Sequence, residues 1–190
     1  MKERPILFST PMVQAILEGR KTMTRRVIKP QPEYDGFWWN HPGNRPKAKK
    51  NTGAISSTCK PDYLWTNLCK YSVGDVLWVR ETWHPKRHNM PTGFPYEYKA
   101  TAELDGTPTN EKWKPSIFMP RKACRLFLEI TNIRVERLQE ITENDAISEG
   151  IIHNSINDPK IEFQWLWQFI NGKESWELNP YVWVIEFNKL

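Results

Sequence analysis

Thr10-Pro11-Met12-Val13-Gln14-Ala15-Ile16-Leu17-Glu18-Gly19, followed at once by Arg20-Lys21-Thr22-Met23-Thr24-Arg25-Arg26, is the stretch on which the architecture turns. Thr10 can cap a helix, Pro11 suits its first position, and Gly19 can end it in left-handed geometry. The residues after Gly19 are too basic and too β-branched to continue the helix and read as a loop entering a strand. A short helix delivered straight into a strand implies a mixed α and β chain.

Outward from this unit the same alternation continues. Gly74-Asp75-Val76-Leu77-Trp78-Val79-Arg80-Glu81-Thr82-Trp83 is a turn and then a β-rich run, apolar enough for burial on both faces, which predicts a central strand. Residues 125–138 place Leu126, Leu128 and Ile130 on one parity and Ile133 and Val135 on the other, so a bulge or bend is expected at Thr131-Asn132. Residues 181–187 read as a closing strand. Thr142-Glu143-Asn144-Asp145 carries a capping-box pattern opening a short helix that Gly150 can close. Asp158-Pro159 opens a longer one, with Ile161, Trp165, Leu166, Phe169 and Ile170 at helical spacing and Gly172 after it. Two Pro-rich, weakly periodic excursions, about 29–72 and 84–115, read as insertions within one domain spanning 1–190. The fold class expected is α+β, a barrel-like sheet with short flanking helices.

Composition narrows the function classes. A chain of 190 residues with 39% hydrophobic content closes a single core. The net charge of +5 is distributed unevenly: residues 1–139 hold 24 Lys/Arg against 13 Asp/Glu, and residues 140–190 hold 3 against 9. A one-sided phosphate-facing surface fits that asymmetry, and so does a pair of ordinary solvated faces. Cys59, Cys69 and Cys124 are odd in number and form no C-x-x-C pair, so no disulfide framework or zinc knuckle is signalled. With no apolar leader and no long apolar run, a cytoplasmic chain that does not enter a membrane is expected.

The segment Leu17–Arg26 resembles the signature of the ASCH family of the PUA-like superfamily, a short helix ending in Gly-x-Lys-x-x-(Glu or Thr)-x-Arg, with Gly19, Lys21, Thr24 and Arg26 at the matching places. Val73-Gly74-Asp75-Val76-Leu77, then Leu128-Glu129-Ile130-Thr131 through 142–149, and finally Val184-Ile185-Glu186-Phe187 resemble the same family in the same order. The two insertions are typical of its larger phage and prophage members. The resemblance implies a PUA-like β-barrel whose cleft holds a nucleobase, nucleoside or RNA segment. It also implies a candidate amidohydrolase activity, because one characterised branch removes the acetyl group of N4-acetylcytidine with a lysine, a threonine and a glutamate that map onto Lys21, Thr24 and Glu149. Many relatives carry Glu at the place of Thr24. No cofactor and no metal is implied.

That chemistry is physically reasonable. A threonine hydroxyl attacks only when a base takes its proton, and a lysine serves when partial burial lowers its pKa. Residues three apart on a strand point to opposite faces, so Lys21 must still lie before the strand that holds Thr24. Glu149 at a helix end can relay the proton to the leaving amine. On spacing alone, a solvated lysine, threonine and glutamate are the better fit, and the resemblance is what reverses that in favour of a site.

Arg20, Arg25, Arg26 and Lys29 flank Lys21 in a run free of acids, suited to phosphate contacts. Arg45, Lys47, Lys49 and Lys50 can add a basic arm, and Trp38, Trp39 and Trp65 are candidates for base stacking. His84 and His88 have i, i+4 spacing but sit in a Pro-broken loop, and His41 and His153 are isolated, so no metal site is expected. The expected partner is RNA or a modified nucleoside. A non-catalytic RNA-binding module and a metal-free ribonuclease are the alternatives to hydrolysis of an acylated nucleoside.

Overall fold

The computed structural model describes residues 1–31, 33–34, 39–40, 69–85, 95–106, 112–152 and 158–190. Trp38, Trp65, Arg45, Lys47, Lys49, Lys50, Cys59, His41, His88, His153 and the side chain of Trp39 lie outside them. The chain is a mixed α+β fold with short helices around a five-stranded sheet. Its strands are β1 (Glu3–Leu7), β2 (Met23–Val27), β5 (Val76–Arg80), β8 (Phe127–Arg137) and β9 (Tyr181–Lys189), in the order β1-β5-β8-β9-β2. Two small ladders stand apart, β3 (Glu33–Tyr34) with β4 (Trp39–Asn40), and β6 (Trp83–Pro85) with β7 (Tyr96–Tyr98). The helices are α1 (Thr10–Leu17), α2 (Lys99–Leu104), α3 (Glu143–Ser148) and α4 (Pro159–Asn171).

β9 is buried on both faces, which explains its unbroken apolar run. Ile185 and Phe187 face a core built with Val13 and Ile16 of α1, Leu77 and Val79 of β5, and Leu128 and Ile130 of β8. Val182 and Val184 face a second core with Met23, Leu138, Ala146 of α3 and Phe163 and Trp167 of α4. β5 is interior, parallel to β1 and antiparallel to β8. The register of β8 against β9 shifts between Ile130 and Asn132, where the alternation of the sequence breaks. The bulge lets Ile130 before it and Ile133 after it pack toward the same core, opposite Phe187 and Ile185.

Two elements differ from the sequence reading. In α4 the inward residues are Phe163 and Trp167, one turn apart, while Ile161, Trp165, Phe169 and Ile170 are largely exposed, Phe169 at 89%. The helix is apolar around most of its girth, so its period alone does not select the buried face. The second expected excursion contains β6, β7 and α2, anchored by Trp83, Tyr98, Met119, Ala123 and Cys124 in a third core. No helix among the described residues is long and apolar enough to cross a membrane.

Candidate active site

β1 and β2 lie at opposite ends of the strand order, yet Arg26 Nη2 on β2 donates to the Leu7 carbonyl at the end of β1 at 2.8 Å. The Arg26 guanidinium also stands 5.4 Å over the Phe8 ring. In this seam lies a cavity of about 330 Å³. Leu7, Phe8, Ser9 and Met12 line it from the β1–α1 side, and Thr24, Arg25, Arg26 and Val27 from β2. Glu149 also lines it, Phe163, Leu166, Trp167, Ile170 and Asn171 of α4 supply a largely apolar part, and Thr82 and Ser116 complete it. The volume lies in the range of small-molecule sites.

Lys21 sits just before β2, as the pairing with Thr24 requires, in an isolated antiparallel bridge to Glu149. Its backbone N–H donates to the Ala15 carbonyl at the end of α1, and the next N–H, of Thr22, donates to Ser148 at the end of α3. Two helix C-termini thus converge on one residue pair. Gly150 permits the convergence: its φ is +98°, and a Cβ there would stand 2.9 Å from Ala15 Cβ and 3.2 Å from Lys21 Cβ.

The side chains follow from this backbone. Lys21 is only 2% exposed, and its Nζ donates to Glu149 Oε2, to the Glu149 carbonyl and to the Met23 carbonyl, each at 2.7 Å. Burial pushes its pKa below the ordinary lysine value. The Glu149 carboxylate pulls it partly back, and the Arg26 and Arg25 guanidiniums add to the lowering. Lys21 does not line the cavity; it reaches the space through Glu149, which does. Thr24 is buried, pairs with Ile185, and lines the same cavity. Among the described residues no hydrogen bond joins Lys21 Nζ to Thr24. Catalytic hydrogen bonds often tighten only in the substrate complex.

The arginine run divides. Lys29 is exposed, and half-buried Arg20 bonds Glu18 and, through Nη1, the Gly150 carbonyl at 2.7 Å. Arg25, read from the sequence as a phosphate contact, is an internal charge in this structure. It is 4% exposed, with Nη2 at 3.1 Å from Glu136 and 3.0 Å from Asp145, and Nη1 at 3.5 Å from Glu149. The reason is register: Arg25 pairs with Val184, so its side chain enters the second core, where three carboxylates receive it. Asp145 in turn is held below its ordinary pKa: burial pushes it up, but Thr142, Arg25 and Arg134 outweigh that. The acidic C-terminal segment and the basic N-terminal one therefore meet inside the fold at this point.

Sequence reasoning missed Glu136 and Asp145 as partners of Arg25, and Phe163 and Trp167 as cavity walls. The acid-free run around Arg25 in fact pointed toward solvent, and only the pairing of β2 with β9 reverses it. Among the described residues no cluster of three or more His, Cys, Asp or Glu is placed to hold a metal ion. The chain matches no protein-family model, no curated protein and no solved structure.

Proposed function

We propose that the chain is a PUA-like, ASCH-type domain whose seam cavity binds a modified nucleoside, free or within RNA, and hydrolyses an acyl amide of the N4-acetylcytidine kind. The observation that carries this reading is the meeting of Thr24 and Glu149 in one cavity with Lys21 hydrogen-bonded behind Glu149, although residues 21 and 149 are far apart in the chain. The approach of β1 and β2 across the cavity supports a barrel-like closure of the sheet.

The Lys21–Glu149 contact suggests how an acid and a base arise together. Transfer of one proton from the ammonium to the carboxylate gives a neutral amine and a neutral acid with no net proton uptake, and burial of Lys21 favours its neutral amine. In the proposed reaction the Thr24 hydroxyl attacks the acyl carbon and its proton passes to the Lys21 amine. The carbonyl reforms as the C–N bond breaks, and the Glu149 acid protonates the departing exocyclic nitrogen. This leaves an acyl ester on Thr24, Lys21 as ammonium and Glu149 as carboxylate. The pair then returns one proton to give amine and acid, Lys21 takes a proton from water as the water attacks the ester, and the Glu149 acid protonates Thr24 Oγ as its bond to the acyl carbon breaks, which releases the carboxylic acid and restores the ammonium and carboxylate.

A second reading has its own support. All three Nζ donors of Lys21 are engaged by acceptors at 2.7 Å, an arrangement that stabilises the ammonium and suits a purely structural lysine in a binding module. Thr24→Ala separates the two. If Thr24 is the nucleophile, the variant loses turnover but still binds the acylated nucleoside close to wild type, measured by calorimetry. Loss of binding together with turnover would make Thr24 a ground-state contact and refute the nucleophile assignment.

A further inference from the structure

We propose that Arg25 is a positioning residue of the Lys21–Glu149 pair, fixing the Glu149 carboxylate and holding the lysine poised to act as a base. This inference rests on the reading of the cavity as a hydrolytic site.

The geometry is that of a charge ladder. Glu149 presents one oxygen to each cation, Oε2 to Lys21 Nζ at 2.7 Å and Oε1 to Arg25 Nη1 at 3.5 Å. The side chains of Lys21 and Arg25 are fully buried and that of Glu149 nearly so, so these charges act with little screening by solvent. On its other side Arg25 Nη2 is held by Glu136 of β8 and Asp145 of α3, both partly exposed. Arg134 of β8 braces both of these carboxylates and also pairs with Glu186 of β9. Phe163 of α4 lies 6.0 Å from the guanidinium and Met23 Sδ 3.3 Å from Nη1, while Arg26 is the remaining charge that acts on Lys21. Nη1 and Nη2 of Arg25 are thus taken up by carboxylates and Met23, while its buried Nε has no hydrogen-bond partner among the described residues.

Two consequences follow for a lysine that must give up a proton. A fixed positive charge nearby disfavours the ammonium, and Nη1, 3.5 Å from Glu149 Oε1, favours the carboxylate orientation that turns the other oxygen toward Lys21. The neighbouring cation thus tunes the base and sets the direction of the relay.

The test follows Lys21 itself. Lysine side chains labelled with ¹³C are titrated by NMR in the full-length protein, with Lys21 assigned by its loss in Lys21→Arg, alongside the pH profile of kcat/KM on N4-acetylcytidine. Removing the charge in Arg25→Met is expected to raise the Lys21 titration and the ascending limb of the profile together, by about one pH unit. Arg25→Lys, which keeps the charge but loses the fork, is expected to lower the rate while moving the titration by less than about half that amount. Should Arg25→Met fail to fold, Glu136→Gln gives the opposite sign, because removing a negative charge lowers the Lys21 titration by about half a unit. An unmoved Lys21 titration in Arg25→Met, or an upward or null shift in Glu136→Gln, would overturn the proposal. The NMR arm reads Arg25 even if wild type hydrolyses nothing, so failure of the hydrolytic reading is seen separately in the kinetic arm.

Discussion

Gly150→Ala probes the joint on which the candidate site is built. Gly150 has a φ of +98°, and an added Cβ would meet Ala15 Cβ at 2.9 Å and Lys21 Cβ at 3.2 Å. The left-handed backbone costs a non-glycine residue roughly 1 kcal/mol. The contact with Ala15 is closer than real Cβ atoms stand, and neither α1 nor the buried Lys21 has room to retreat, so overpacking adds about 1–3 kcal/mol. A loss of about 2–4 kcal/mol is expected, read as a lower urea midpoint by tryptophan fluorescence with the slope unchanged. The steric part is separable, because Ala15→Gly removes the nearest atom. Alone, that change costs about 1 kcal/mol as a glycine within α1. In the Gly150→Ala background it should cost nothing or restore stability, giving a coupling of at least about 1 kcal/mol between the sites. Strictly additive effects, or a Gly150→Ala protein within about 0.5 kcal/mol of wild type, would refute the tight approach of α1, Lys21 and Gly150.

Other expectations concern charges elsewhere in the fold. Asp75 takes hydrogen bonds from the backbone N–H groups of Lys2 and Ser72 and from Arg4 Nε, clasping β1 to β5; burial pushes its pKa up, but these donors hold it below the ordinary value. A depressed carboxylate contributes stability that is present above its unfolded pKa of about 3.9 and is lost as pH falls through the folded value. Asp75→Asn should therefore lower the midpoint of thermal unfolding at pH 7 and flatten its decline in acid, and an equally steep acid decline would count against the clasp. Glu81, 1% exposed, is gripped by Arg125 Nε and Nη2 at 2.9 and 3.0 Å. Arg125→Met leaves a buried unpaired carboxylate and is expected to cost about 3–5 kcal/mol in urea unfolding, with Glu81→Gln added to it recovering part of the loss. If wild type binds RNA through exposed Lys29 and half-buried Arg20, Arg20→Ala should reduce the salt slope of binding by about one while Arg25→Lys leaves that slope unchanged; equal slopes in wild type and Arg20→Ala would remove Arg20 from the interface.

Much of the frame was legible because local chemistry and tertiary context agree. The Gly19 stop of α1, the break of alternation at Thr131-Asn132, the box at Thr142 and Asp145, and the Asp158-Pro159 start appear where their residues place them, while α1 begins one residue early, with Ser9 at the N-cap and Thr10 already helical. β1 was not read, since Glu3-Arg4-Pro5-Ile6-Leu7 is short, charged and interrupted by a proline that only an edge strand accepts. The face of α4 was not read because Phe163 and Trp167 compete with Trp165 and Phe169 for the core at the same helical period, and the sheet beneath decides. For the site, the family resemblance and not the spacing points to Lys21, Thr24 and Glu149, and the structure brings Lys21 onto Glu149 with Thr24 and Glu149 on one cavity. The place of Arg25 depends on which residue of β9 it faces, a non-local register that no property of its own segment encodes.

The central claim is that the Lys21, Thr24 and Glu149 set performs acyl-amide hydrolysis, and it is tested most directly by incubating the purified wild-type protein with N4-acetylcytidine and following cytidine by chromatography. Stoichiometric cytidine and acetate from wild type, and none from Lys21→Ala or Thr24→Ala proteins of native fold, is the predicted result. Wild-type hydrolysis retained in both variants, or no turnover of any acylated nucleoside by the wild-type protein, would contradict it.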